Sequence, residues 1–256
     1  MRRWAPRGSG SLAAAFLLAL AAQAQVAGPL WHLLGGKSLT PFPADRLLGL
    51  AVLHLALALT AVAAAAVAGI GLGIAVTRPA GRGLRPLADT LVAAAQAVPP
   101  VVVVALAFPV LGFGAAPTAL ALVLYCVMPI LRGTVGAIES VPPDALEAAT
   151  AMGLTRTQRL REVELPLAAP AILDGVRVAL VLGVATAAVG ALAGARTLGT
   201  PIVLGLQNQN ELYILQGAAA TAALAFLAEG VLMTVLGRPE KRAGRRRAPR
   251  DDAPSM

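Results

Sequence analysis

Six long apolar stretches, parted by short polar or Pro/Gly-bearing segments, set the pattern of this chain: 12–34, 48–76, 87–111, 117–137, 168–194 and 212–236. Crossing the hydrocarbon core of a bilayer takes about 20 apolar residues in a helix, and each stretch reaches that length. Helices are the expected form, because a lone open strand leaves backbone groups unpaired in lipid. The fold class expected is all-α: a polytopic membrane helical bundle of about six transmembrane helices.

Details within the stretches refine this picture. Gly69 and Gly73 stand four apart near one end of the second stretch, with Gly71 between them; this spacing lets two helices approach closely. Pro99-Pro100, Pro109, Pro117 and Pro129 are expected to kink or break the third and fourth helices. The first stretch follows Arg2, Arg3 and Arg7 and reaches Ala22-Gln-Ala24, as a cleavable signal peptide would. Apolar character continues through Leu34, so the segment reads as an uncleaved span. Cleavage would leave five spans and the same topology beyond residue 35.

One long polar excursion interrupts the pattern, Glu139–Pro166. Pro143 suits the first turn of a helix, and Asp144 and Glu147 place negative charge toward its start. The run Asp144–Met152 suits a helix, and Gly153 supplies a left-handed cap. Thr155-Arg-Thr-Gln158 matches a capping box that opens a second short helix, which is expected to stop before Pro166. The result is two short helices hinged at Gly153 between membrane spans.

Composition agrees with the class: 57% of the 256 residues are hydrophobic and 13% charged, against about 25% charged in ordinary soluble domains. The net charge of +8 raises a nucleic-acid reading, which its distribution removes. With the N-terminus placed in the cytoplasm, 16 of the 21 Lys and Arg fall inside. These are Arg2, Arg3 and Arg7, Arg78, Arg82 and Arg85, Arg156, Arg159 and Arg161, and seven in the tail after residue 237. Lys37, Arg46 and Arg196 fall outside, and Arg132 and Arg177 lie near the inner ends of spans. That asymmetry orients both termini and the 139–166 loop to the cytoplasm. The basic tail also lacks interleaved aromatics to stack on bases; its expected roles are topology and attraction to anionic lipid.

The spacing within the loop carries a resemblance. Glu147-Ala148-Ala149, three residues, Gly153, nine residues, then Val163-Glu164-Leu165-Pro166 resembles the EAA loop of ABC importer permeases, departing only at Val163, where Ile is usual. The resemblance implies that Glu147, Ala148, Ala149, Gly153, Leu165 and Pro166 belong to coupling helices that dock on a separate ATP-hydrolysing subunit. His54–Thr60, Gln96–Pro99, Leu124-Tyr125, Pro129–Arg132 and Gly194–Gly199 are similar to the glycine betaine/carnitine/choline branch of these permeases. The similarity covers about residues 50–236, with five spans in the conserved core, and weakens at Ala195-Arg196-Thr197. It implies a permease domain over 48–236; outside it, hydropathy and charge set off 1–47, a basic segment, first span and outer loop, and 237–256, a basic cytoplasmic tail expected to be disordered.

No catalytic set emerges and no cofactor is implied. Cys126 is alone and apolar in setting, which excludes a disulfide framework or multi-cysteine metal site. His32 and His54 have no metal partner at helical spacing. Gly36-Lys37-Ser38 lacks the first glycine of a phosphate loop, since Trp31 stands there. Intramembrane polar residues are functional candidates: Gln96 beside Pro99, Tyr125 and Glu229 as pathway lining, with Thr186 and Gln216. Asp174 and Arg177 are spaced to pair on one helix.

The function implied is a permease subunit of an ATP-driven importer in the bacterial inner membrane, carrying quaternary-amine osmoprotectants. Its implied partners are cytoplasmic ATPase subunits, a second permease chain and an extracytoplasmic solute-binding protein. The nine aromatics are scattered and form no evident cage for a quaternary ammonium. A permease of the same type for methionine or another amino acid is the nearest alternative; a self-contained channel or membrane enzyme is the alternative of another class.

Overall fold

The computed structural model describes residues 9–33 and 39–236. Arg2, Arg3, Arg7, Gly36-Lys37-Ser38 and the basic tail 237–256 lie outside the described residues. In chain order the helices are α1 Ser9–Ala22, α2 Ala24–Leu33, α3 Ala44–Thr77, α4 Arg85–Ala97, α5 Pro100–Leu111, α6 Ala115–Glu139, α7 Pro143–Ala151, α8 Arg156–Arg159, α9 Leu165–Ala187, α10 Gly199–Gln207 and α11 Glu211–Leu236. Short 3-10 turns precede α4 and follow α9, and no strand occurs among the described residues.

All six apolar stretches are helical, and two of them are divided. Among the described residues, four helices are long and apolar enough to cross a membrane without a break, with α8 and α9 forming one run from Arg156 to Ala193. The first stretch is the pair α1–α2, bent by 81°. The third stretch, 87–111, is two helices parted at Val98-Pro99. Val98 is extended (φ −83°, ψ 122°), as a residue before proline prefers, and Pro100 opens α5. Pro109, Pro117 and Pro129 are accommodated inside helices.

The centre of the bundle is α3, α6 and α9. Leu122, Cys126 and Ile130 of α6 pack with Ala58 and Val62 of α3 and Ala179, Leu180 and Val184 of α9. Small residues set the spacing. A Cβ on Gly69 would stand 2.9 Å from Ile130, and one on Gly175 would stand 3.0 Å from the Pro129 carbonyl. Large apolar side chains such as Val67, Leu106 and Val110 point away from the core, as a lipid-facing surface requires.

Buried polar side chains act as staples. His54 of α3, fully buried, accepts the Leu198 amide at Nδ1 (3.0 Å), so Nε2 carries the proton and donates to the Val184 carbonyl (2.7 Å). Gln216 of α11 accepts the Phe42 amide (2.7 Å) and donates to the Ala22 carbonyl (3.0 Å), where α1 ends. The expected Asp174–Arg177 pair does not form. Arg177 instead pairs with Glu229 across to α11, and Glu229 also accepts from Ser11 of α1 (3.2 Å). The buried carboxylate draws the guanidinium away from an exposed neighbour, because a charge left alone in an apolar setting is costly.

Candidate functional site

The segment between α6 and α9 folds as its local chemistry directs. Pro143 occupies the first turn of α7 with Asp144 beside it. The helix ends in a Schellman arrangement: Leu154 N–H donates to Ala149 C=O (3.1 Å) and Gly153 N–H to Thr150 C=O (3.0 Å). Gly153 has φ +79°, a conformation cheap only for glycine. Thr155 then caps α8, accepting the Gln158 amide (3.4 Å) while Gln158 Oε1 accepts the Thr155 amide (3.0 Å).

The second limb does not stop before Pro166. A π turn, Leu160–Glu164, carries α8 directly into α9, with Leu165 N–H reaching Leu160 C=O. Pro166 lies in the first turn of α9. The wider turn absorbs the donor that Pro166 lacks and the clash its ring would make in a regular helix.

Within this loop Ala149 is buried, whereas Glu147, Ala148, Met152 and Gly153 are exposed. Leu146, Glu147, Thr150, Ala151 and Arg159 line a shallow concavity of about 480 Å³ in the crook of the two limbs. Leu165 is half-buried and Pro166 exposed at the start of α9. This is a surface able to receive a protruding side chain.

Beneath it lies a network that sequence spacing did not single out. Glu164 is 4% exposed. Its carboxylate accepts from Arg78, just past the end of α3 (2.6 Å), and from Arg159 of α8 (3.2 Å). Arg159 also reaches Thr150 Oγ on α7 (3.4 Å). Burial alone would raise the Glu164 carboxyl; Arg78 and then Arg159 outweigh it and hold the group below its ordinary value. The legible signal was an acid flanked by the apolar Val163 and Leu165, next to the exposed Arg161 and Glu162 of the same turn. Nearby, Arg85 of α4 pairs with Glu139 at the end of α6.

The other candidates are dispersed. Gln96 and Tyr125 meet at the α4–α5 break: Gln96 Nε2 donates to the Tyr125 carbonyl (3.1 Å), and the Tyr125 hydroxyl reaches the Gln96 (3.3 Å) and Val98 carbonyls. These are carbonyls that the end of α4 leaves without helical partners. Pro99 is exposed beside them. Glu229 is remote from this cluster, in its pair with Arg177. Thr186 is half-buried in α9.

Comparison with known proteins places this arrangement. The chain is similar to the osmoprotectant import permease protein OsmY of Salmonella typhimurium, 38% identical over 157 residues, 61% of this chain and 66% of that one. It is 42% identical over 144 residues to the choline transport system permease protein OpuBD of Bacillus subtilis, 56% of this chain and 63% of that one. It is 40% identical over 138 residues to the carnitine transport permease protein OpuCD of Listeria monocytogenes, 54% of this chain and 62% of that one. The chain thus spans less than two thirds of the length of these curated relatives. In fold it is similar to a chain of the MetNI methionine ABC transporter (TM-score 0.66, 23% identity, 75% of this chain and 94% of that one). A chain of an amino acid ABC transporter matches with TM-score 0.57 and 19% identity, over 75% of this chain and 94% of that one. The family described as binding-protein-dependent transport system inner membrane component matches residues 69–238, about two thirds of the sequence, and the chain belongs to that family.

Proposed function

We propose that this chain is the permease subunit of an ATP-driven importer of quaternary-amine osmoprotectants such as glycine betaine, choline or carnitine. Two permease chains, identical or paralogous, enclose the pathway, and a solute-binding protein delivers the solute from the extracytoplasmic side. ATP is hydrolysed by separate cytoplasmic subunits that dock on α7 and α8, with both termini of this chain on the same side. Residues 48–236 form the permease domain. Gln96, Pro99 and Tyr125, at the break between α4 and α5, line the pathway; Glu229 keeps α11 against α9.

The observation that carries this reading is the α7–α8 loop. It is a doubly capped corner that exposes Glu147, Ala148 and Met152 beside a concavity, and it is continuous with the membrane-length run of α9. Such a corner can transfer a partner's displacement into the bundle. The relatives' similarity supports the solute class.

The test is reconstitution of the chain with its ATPase and binding protein in proteoliposomes. ATP-dependent uptake of radiolabelled glycine betaine, choline or carnitine is expected, and unlabelled methionine is expected not to compete. Uptake of methionine alone would replace the solute class. Transport or cleavage by the purified chain without an ATPase would overturn the permease-subunit reading.

A further inference from the structure

Glu164 stands where the loop meets the bundle, and both of its oxygens are engaged from opposite sides. Oε1 accepts from Arg159, which belongs to the loop and touches Thr150 on the other limb. Oε2 accepts from Arg78, which follows the last turn of α3 and is itself steadied by Thr77 Oγ through Nε (3.3 Å) and Nη2 (3.1 Å). A continuous polar chain therefore runs from α7 through Arg159, Glu164 and Arg78 to α3. Close before Thr77, α3 is seated on α6 by Gly69 and Gly73, so displacement of the end of α3 is displacement of the bundle centre.

We propose that the Glu164–Arg78 pair is a strut that transmits movement of the α7–α8 loop to α3, making both residues positioning residues of the transport cycle. The proposal rests on the reading that an ATPase moves this loop. The loop already has two covalent routes into the membrane, through Ser140–Pro142 to α6 and through the π turn to α9. Apart from those routes and the strut, α3 meets the loop's surroundings through apolar packing: Ile70 and Ile74, like Leu146 and Leu165, pack against the cluster of Ala137, Ile138, Val141, Ala168 and Ile172, and such surfaces slide past one another at little cost. A buried carboxylate shared by two guanidiniums resists sliding, because separating either pair leaves charge uncompensated in a confined site.

The experiment uses the complete transporter in proteoliposomes with Glu164→Gln, Arg78→Gln and Arg78→Lys. Uptake, ATP hydrolysis and co-purification of the ATPase are measured for each. Glu164→Gln and Arg78→Gln are expected to retain the ATPase and hydrolyse ATP while solute moved per ATP falls roughly fivefold or more, the lower end of ordinary coupling energies. Arg78→Lys, which keeps the charge, is expected to retain most of that ratio. The strut is overturned if the ratio is unchanged in both Gln variants, if Arg78→Lys is as defective as Arg78→Gln, or if uptake falls only in step with lost ATPase binding. If the unsubstituted chain binds no ATPase, the coupling reading itself fails and the strut with it.

Discussion

Gly73 of α3 lies so close to Thr134 of α6 that a Cβ added to it would stand 2.7 Å from the threonine Cβ and Cγ2. Thr134 cannot swing aside freely, since its hydroxyl donates to the Ile130 carbonyl at 2.7 Å. The Gly73→Ala variant is therefore expected to destabilise by about 1–3 kcal/mol, as overpacking does. Gly71, two residues earlier, has no atom within 4 Å of an added Cβ. There Gly71→Ala is expected to be neutral or slightly stabilising through helix propensity. Thermal unfolding in detergent reads both, and equal midpoints for the two variants would contradict the packing assignment.

His54 ties α3 to the turn before α10, and its two ring nitrogens are both in use. Replacing it with Ala leaves the buried Leu198 amide without an acceptor, a loss of about 1–3 kcal/mol, and adds a cavity. His54→Gln, with an acceptor on a side chain of similar reach, is expected to recover part of the difference. The same unfolding assay decides; a His54→Ala protein as stable as its parent would show that the staple contributes nothing.

What was legible in the sequence follows the range of the physics involved. Hydropathy over twenty residues and the chemistry of a capping box are local, so the helical stretches, Gly153 and the Thr155–Gln158 cap could be read directly. The close approach at Gly69 and Gly73 was legible as spacing, although not which helix they meet. Arg177 shows where local reading stops: Asp174 is three residues away, but the carboxylate it pairs with is Glu229, 52 residues distant. Pro166 shows a second limit. A proline ends a regular helix, and nothing in its neighbours announces that a π turn absorbs it. The break in the 87–111 stretch was legible from Pro99-Pro100, but not that Tyr125 of another helix serves the Gln96 and Val98 carbonyls there.

That contact makes Tyr125→Phe informative. The substitution keeps the ring and removes the hydroxyl that serves the Gln96 and Val98 carbonyls. A loss of about 0.5–1.5 kcal/mol is expected, concentrated at the junction of α4 and α5. Hydrogen exchange in a peptide spanning 85–111 should quicken while exchange within α3 and α9 stays unchanged. Uniform behaviour across all three regions would mean that the break is held by something other than Tyr125.

The sharpest separation of fold from function is expected at Gly153. Its φ of +79° costs a side chain of ordinary chirality about 1–3 kcal/mol, and a β-branched one suffers most from crowding around its own backbone. No other atom lies within 4 Å of a Cβ placed there, so the penalty is backbone strain and not collision. Gly153→Val should therefore unmake the Schellman turn and shift α8 relative to α7, with the membrane helices packed as before. Gly153→Asn, tolerated in the left-handed region, should be milder. In whole cells the Val variant is expected to reach the membrane fraction in normal amount but to support little solute uptake. Wild-type uptake by Gly153→Val would remove the loop's corner from the coupling mechanism, whereas loss of the protein from the membrane would make the turn a requirement for folding.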